Sequence, residues 1–383
     1  VIDLPLADDG LPAWPPRDPA IWQSLQQLFA SGQWGRYQST VSAECVHAIE
    51  QMLAVQVDAS SLPKPWCGFQ ERINAKGDVR LCSSGTMAVE LALRGCDVRA
   101  GDEVVVAAYD YPGNFRSVEL LGATPVLADV LPDRVTMDPA SLRQITGEKI
   151  KAVVVSHLYG ELAEMWSIRD ICDARGWYLI EDACQVPGAN WRVNEPDQPA
   201  SRLPIGVLSD CMTLSFGGSK LLSAGNGGAL VSRTDRIAAR VRAYVERPSD
   251  AVPLSPLQAA VLLPQLALLD ELNERRQLMA AQWRLHDWSS VGATVLTTTR
   301  HDEVPAYYKF ALLALANDGR AELMARLQSS GWPVGVGFRS MHGTSERRSR
   351  KPVSLENSRL LGDRCIVIDH RALLAESSLE LPR

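Results

Sequence analysis

Apolar and polar positions change rhythm along the chain. Near the start, apolar residues fall at helical spacing: Ile21, Leu25, Leu28 and Phe29, closed by Ser31-Gly32, then Val46, Ile49, Met52 and Leu53 behind Thr40 and Ser42. From Val79 onward the pattern becomes short apolar runs with little polar alternation. They are Val104-Val105-Val106-Ala107, Pro125-Val126-Leu127-Ala128, Ala152-Val153-Val154-Val155, Tyr178-Leu179-Ile180, Met212-Thr213-Leu214 and Ala229-Leu230-Val231. Helix-length segments separate most of them, at 86–94, 115–121 and 166–175. Such runs predict strands buried on both faces of a mainly parallel sheet in an α/β fold. After Val231 helical spacing returns (Ile237, Val241, Tyr244), followed by a proline-containing stretch at 247–256. A long helical pattern over 257–285 is expected to be interrupted at Pro264. The remainder holds a strand-like run Phe310-Ala311-Leu312-Leu313, a helix at 322–327 and the run Ile366-Val367-Ile368.

Prolines at 5, 12, 15, 16 and 19 make residues 1–20 an extended arm. Leu62-Pro63-Lys64-Pro65-Trp66 reads as a connection, and a boundary near Arg247 divides a large domain, 21–246, from a small C-terminal one, 247–383. With 383 residues, 46% of them hydrophobic, the chain can bury more than one core. A formal net charge of −6 argues against a nucleic-acid partner. The eight cysteines show no C-x-x-C pair or metal-ligand spacing and are expected to be reduced and mostly buried. The opening residues lack the features of a secretion signal, and no apolar run reaches membrane-spanning length. These observations predict a soluble cytoplasmic enzyme with no membrane and no resident metal.

Ligands of such sheets bind at the carboxyl ends of the strands, so the residues that follow each run carry the functional reading. Ser84-Gly85-Thr86 opens a helix, whose free N–H groups suit a phosphate; alone it is also an ordinary cap. Asp110-Tyr111 puts an aromatic ring at a strand end. His157 follows the Ala152 run and is as readily structural as catalytic. Glu181-Asp182 places two carboxylates after Tyr178-Leu179-Ile180, able to serve a metal or a base, or to cap a helix. Ser215-Phe216-Gly217-Gly218-Ser219-Lys220, continued by Gly225-Asn226-Gly227-Gly228, brings a hydroxyl, flexible backbone and a lysine together. A P-loop would need Ser or Thr after the lysine, and Leu221 stands there. A phosphate cradle, an aromatic plate, a carboxylate and a lysine are together the needs of pyridoxal 5′-phosphate (PLP): donors for its phosphate, a face for its ring, an anion for its pyridine nitrogen and an amine for its aldehyde.

These motifs, with Gly101-Asp102-Glu103-Val104, Gly122-Ala123-Thr124-Pro125-Val126, His157-Leu158-Tyr159-Gly160 and Glu181-Asp182-Ala183-Cys184-Gln185, resemble the DegT/DnrJ/EryC1/StrS family of PLP-dependent sugar aminotransferases. The resemblance runs from about Trp34 to Val231. It implies fold type I: a mainly parallel seven-stranded central sheet flanked by helices, plus a smaller C-terminal α/β domain. It implies that Lys220 bonds the cofactor aldehyde and moves the proton, that Asp182 pairs with the pyridine nitrogen, and that Gln185 lies beside the phenolic oxygen. Tyr111 would stack on the ring, and Ser84, Gly85, Thr86 and Ser215 would hold the phosphate. His157 and Asn226 are candidates for substrate or supporting contacts. The activity implied is transfer of an amino group from glutamate or glutamine to a keto-sugar, most commonly a nucleotide-linked one, or next to a keto-cyclitol such as an inosose, by a ping-pong mechanism in a homodimer with shared active sites. The pattern departs from the family at Asn226, where glutamate is usual, and at Ala251 and Pro253, where an asparagine and an arginine are usual. Other readings of the same resemblance are a PLP-dependent lyase or dehydratase, against which Lys220 argues in the dehydratase branch, and a non-catalytic regulatory homologue. The basic run Ser345-Glu346-Arg347-Arg348-Ser349-Arg350-Lys351 reads as a solvated loop, with contacts to a nucleotide diphosphate as the lesser alternative.

Overall fold

The apolar runs line up in one sheet. In the computed structural model, residues 4–55, 66–193, 201–316 and 319–375 are described. The proline-rich connection at 62–65 and the side chain of Cys67 lie outside them. Along the chain, α1 (Pro19–Ser31), α2 (Thr40–Met52) and α3 (Gln70–Asn74) precede β1 (Asp78–Cys82), α4 (Gly85–Gly95), β2 (Glu103–Ala107), α5 (Pro112–Leu120) and β3 (Thr124–Ala128). Next come α6 (Pro139–Gln144), β4 (Ile150–Ser156), α7 (Met165–Arg175), β5 (Tyr178–Asp182), the hairpin β6 (Asn190–Val193) and β7 (Ser201–Pro204), then β8 (Cys211–Ser215), β9 (Gly228–Ser232) and α8 (Asp235–Val245). The short hairpin β10 (Glu246–Arg247) and β11 (Ser249–Asp250) leads into α9 (Pro256–Arg284). The rest is β12 (Ala293–Val295), β13 (Glu303–Val304), β14 (Lys309–Ala314), α10 (Arg320–Ser329), β15 (Val334–Val336), α11 (Glu356–Arg364) and β16 (Cys365–Asp369).

The central sheet has seven strands in the order β1-β9-β8-β5-β4-β2-β3. Neighbours from β8 to β3 are parallel, and β9 alone runs against the rest, antiparallel to both β8 and β1. Alternate residues of each strand enter different cores. Val104, Val106, Ala152, Val154 and Ile180 pack with Leu91 and Ala92 of α4, Val118 of α5 and Val241 of α8. Val105, Val153, Val155 and Leu179 pack on the other face with Ile49 of α2, Ile168 of α7 and Leu262 of α9. Double-sided burial is why these runs carry no polar alternation.

A second, antiparallel sheet, β12-β14-β16-β15, lies over a core of Trp283, Trp288, Phe310, Trp332, Ile366 and Ile368, which Leu11 of the amino-terminal segment also enters. A three-stranded sheet, β13-β6-β7, joins the segment between α9 and β14 to the β5–β8 connection. The seven cysteines whose side chains are described are free and buried. Among the described residues no helix is long and apolar enough to cross a membrane, and no group of three or more His, Cys, Asp or Glu side chains is placed to hold a metal.

Two local expectations are corrected. Helix α9 continues through Pro264. A proline inside a helix removes one backbone donor and costs about 3 kcal/mol; here the helix packs along both α1 and α2, burying Ala259, Ala260, Leu262 and Leu269 around the defect, and that burial outweighs the lost bond. The basic run at 345–351 is not simply solvated. Arg350 pairs through its backbone with the open edge of β3, donating to Pro125 O at 2.9 Å and accepting from Leu127 N at 2.9 Å. Its guanidinium holds both carboxylate oxygens of Glu103, at 3.0 and 2.7 Å, and Arg348 similarly grips Glu119. Unpaired groups of an edge strand draw such a segment in.

Candidate active site

Each candidate residue leaves the sheet or opens a helix at its carboxyl edge. β1 ends at Cys82 and α4 begins at Gly85, with Ser84 as the cap: its hydroxyl accepts from Met87 N at 3.0 Å. That cap leaves the Gly85 and Thr86 N–H groups without an intrahelical acceptor, at the positive end of the helix dipole. β8 ends at Ser215, beside this helix start. A Cβ built on Gly85 would stand 2.6 Å from Ser215 Cβ, 2.8 Å from its Oγ and 3.2 Å from Cys184 Sγ. Gly228, where β9 begins, is equally constrained: its Cβ would meet the backbone of Ser84 and Gly85 at 2.6–2.7 Å.

Between Ser215 and Gly228 the chain makes a loop that carries Lys220. Lys220 N donates to Gly217 O at 2.9 Å, and its carbonyl accepts from Trp14 Nε1 at 2.8 Å, so the amino-terminal segment helps set the loop. Lys220 Nζ lies 4.4 Å from the centroid of the Tyr308 ring, whose hydroxyl lies 2.9 Å from Ser219 Oγ. Asn226 turns its Oδ1 onto Gly227 N at 3.1 Å, and its carbonyl accepts from Gln258 Nε2 at 2.8 Å.

Asp182 ends β5 and is buried. All of its partners are donors: Asn114 Nδ2 at 2.7 Å and Ser156 Oγ at 3.3 Å on Oδ2, Cys184 N at 3.0 Å and Thr213 Oγ1 at 3.4 Å on Oδ1. Four donors, with no lysine or arginine among them, fix the orientation of its carboxyl group at the cavity wall. Gln185 commits its Oε1 to Tyr159 N at 2.8 Å, which leaves the Nε2 donors for a ligand. Burial, with the Asp182 charge beside it, pushes the Cys184 thiol well above its ordinary value, so it stays neutral.

Nine of the sequence candidates, Ser84, Gly85, Thr86, Tyr111, Asp182, Gln185, Ser215, Lys220 and Asn226, line one cavity of about 300 Å³. His157 does not. It is fully buried, its Nε2 donates to Glu181 Oε1 at 2.8 Å and its Nδ1 accepts from Ala163 N at 3.0 Å. Both ring nitrogens are therefore spent inside the protein. Glu181 also accepts from Gly206 N at 2.9 Å and points away from Asp182, as alternate strand residues must. Ala251 and Pro253 are not among the residues lining the cavity.

The cavity has further walls that sequence reading missed: Asn114, Tyr308 and Phe338. Asn114 could have been found, since it lies in the first turn of α5, where its side chain meets Ser156 of β4 and Asp182 of β5. Phe338 and Tyr308 arrive from the C-terminal part. Phe338 N donates to the hydroxyls of Tyr109 and Tyr159, at 3.2 and 2.9 Å, and its ring lies 5.9 Å from that of Tyr111, which is 41% exposed at the rim.

The donor set fits PLP. Gly85 provides a space that a side chain would fill, walled by a hydroxyl and two free N–H groups, and a buried carboxylate and a lysine open into the same cavity. Gly85→Ala is therefore expected to weaken binding of the cofactor. Forcing a methyl group against Ser215 costs about 1–3 kcal/mol, roughly a 5- to 150-fold rise in Kd, read by titrating the apoprotein with PLP and following tryptophan fluorescence.

The model of the DegT/DnrJ/EryC1/StrS aminotransferase family matches residues 69–380. An L-glutamine:2-deoxy-scyllo-inosose aminotransferase of Streptomyces paromomycinus is 30% identical over 330 residues, covering 78% of this chain and 70% of that protein. A dTDP-3-amino-3,4,6-trideoxy-alpha-D-glucose transaminase of Streptomyces venezuelae is 32% identical over 260 residues, 65% of each chain. Among solved structures, 3-amino-5-hydroxybenzoic acid synthase superposes with a TM-score of 0.80 at 24% identity, over 97% of this chain and 95% of that one. A likeness at that identity speaks for the fold.

Proposed function

The chain belongs to the DegT/DnrJ/EryC1/StrS aminotransferase family, and from that premise we propose that it moves an amino group from glutamine or glutamate to the ketone of a keto-cyclitol or a keto-sugar, nucleotide-linked or free. The names of its relatives support this substrate class, since one acts on an inosose and another makes an amino sugar. One observation carries the reading: a lysine, a buried carboxylate and a helix start with a facing serine hydroxyl open into a single cavity at the carboxyl edge of the sheet.

Bound there, PLP supplies an electrophilic aldehyde and a ring that delocalises the electrons released from the carbon that loses its proton. The protein does the rest. Ser215 and the Gly85 and Thr86 N–H groups would hold the phosphate, and Tyr111 would cover the ring. Asp182, oriented by its four donors, would sit at the ring nitrogen. The free Nε2 of Gln185 would donate to the phenolic oxygen. Lys220 Nζ would be the covalent anchor and, once free, would take the proton from the donor's carbon and deliver one to the product's carbon. Tyr308 walls that amine on one side, its ring centroid 4.4 Å from Nζ. The donor amino acid leaves as a keto acid before the ketone enters the same pocket, so the kinetics are ping-pong. The working form is a cytoplasmic homodimer, and the division at 21–246 and 247–383 separates the cofactor-holding part from a part that adds Phe338 and Tyr308 to the pocket.

The test is direct. Purified protein loaded with PLP should change its visible spectrum on addition of L-glutamine, and recover on addition of a keto-cyclitol such as an inosose or a keto-sugar nucleotide. A spectrum that no amino donor alters would sink the aminotransfer reading. Recovery with neither ketone class would sink the substrate assignment.

A further inference from the structure

Behind Asp182 the site holds a second carboxyl group to which none of these roles gives a task. Asp110 follows β2 and is only 1% exposed. Its Oδ1 accepts from Tyr111 N at 2.6 Å, and its Oδ2 lies 2.8 Å from Ser156 Oγ and 3.4 Å from Asn114 Nδ2. The same hydroxyl and the same amide contact Asp182 Oδ2, at 3.3 and 2.7 Å. Two buried carboxyl groups thus share two neutral side chains, and among the described residues no lysine, arginine or histidine pairs with either.

Charge and proton counts decide what such a cluster can be. A hydroxyl has one proton to donate, so Ser156 cannot serve both carboxyls at once. Two like charges in one buried site raise the cost of ionising the second. A protonated ring nitrogen beside Asp182 offers one positive charge, which matches one carboxylate and leaves the other without a counter-charge. We infer that Asp110 is a positioning residue that takes the proton of the pair behind Asp182 and, through Ser156 and Asn114, leaves Asp182 as the carboxylate facing the cofactor ring whenever the pair holds one proton. The inference rests on the placement of Asp182 at that ring.

In the protonated form Asp110 donates to Ser156 Oγ, and the Ser156 hydroxyl is free to donate to Asp182. Burial, then the Asp182 charge, push the Asp110 carboxyl up to about 7, against the opposing pull of Ser156, Tyr111 N and Asn114. Other titratable groups facing it are Tyr111, its neighbour, and Tyr159, whose phenol burial lifts well above its ordinary value. α5 brings only Asn114 to it and β4 only Ser156, while the next residue, His157, is occupied by Glu181. Below about 7 the cluster carries one negative charge. Above it a second charge appears, and the ring nitrogen is held protonated more tightly.

The test is an infrared titration of the holoenzyme carrying carbon-13-labelled aspartate. The label removes Glu161, whose buried carboxyl is also pushed up, to about 8. A labelled protonated-carboxyl stretch present at about pH 6 and lost by about pH 8 is expected in the wild type and absent from Asp110→Asn. The visible band of the bound cofactor should show a step with the same midpoint in the wild type and none in Asp110→Asn. A purely structural aspartate would change stability or cofactor affinity but leave no such step to lose. In Asp182→Asn the Asp110 midpoint should fall by a unit or more, roughly the loss of one like charge. A wild-type holoenzyme with no labelled protonated carboxyl above about pH 5, or a step that survives in Asp110→Asn, overturns the proposal; the first of these needs no variant. If Asp182→Asn keeps wild-type turnover, the functional reading of Asp182 fails, while the labelled stretch still decides where the proton resides.

Discussion

Lys220→Ala protein will take up PLP without bonding it and will lose amino transfer. Removing a positioned proton carrier costs roughly 10²- to 10⁴-fold in rate by itself, and loss of the covalent anchor adds to that. The variant should remain folded. Lys220 is only part-buried, its side chain contributes a contact to the Tyr308 ring at 4.4 Å, and the loop is held through backbone groups that alanine keeps: its N–H to Gly217 O and its carbonyl to Trp14. The measurement is kcat with glutamine as donor, paired with the visible spectrum and a thermal melt. A variant that melts like the wild type and still exchanges its spectrum with glutamine would remove Lys220 from the mechanism.

The second large effect belongs to Asp182→Asn. The substitution deletes a charge and little else. Cys184 N, a backbone donor, fixes the amide oxygen on its side, and the new amide nitrogen then faces Asn114, whose own amide can turn to offer its oxygen. The fold therefore tolerates the change, while the cofactor nitrogen loses its anion. Breaking a buried pair by removing one partner costs about 3–5 kcal/mol, which corresponds to roughly 10²- to 10⁴-fold in kcat. Retained turnover within tenfold of the wild type would show that the ring nitrogen needs no carboxylate here.

What could be read from the sequence, and what could not, follows from the range of the interactions involved. The strands at Val104, Ala152 and Tyr178 were legible because burial on both faces strips polar residues from them. Lys220, Asp182 and Gly85 were legible because a parallel sheet gathers its strand ends at one edge. His157 shares that position and was not separable by sequence: its fate depends on Glu181 Oε1 and Ala163 N, which the fold brings to its two ring nitrogens. Phe338 and Tyr308 reach the cavity from far along the chain, and nothing local marks them. Pro264 misled because a local rule yielded to packing on α1 and α2. The basic run misled because charge hides the backbone pairing of Arg350 with the edge of β3.

The reversed strand β9 has a consequence for synthesis. β1 emerges early, yet its register partner runs from Gly228 to Ser232, which is translated last among the seven strands. Until then the turn at Ser84-Gly85 has no Gly228 backbone to lie against, and the segment bearing Lys220 is not closed into the sheet at its far end. A nascent chain released before Ser232 would contain Asp182, Ser215 and Lys220 and still capture no PLP. Cofactor uptake in a ribosome-release series would therefore date the closing of β1 on β9, with strands distant in sequence being the slow contacts to form.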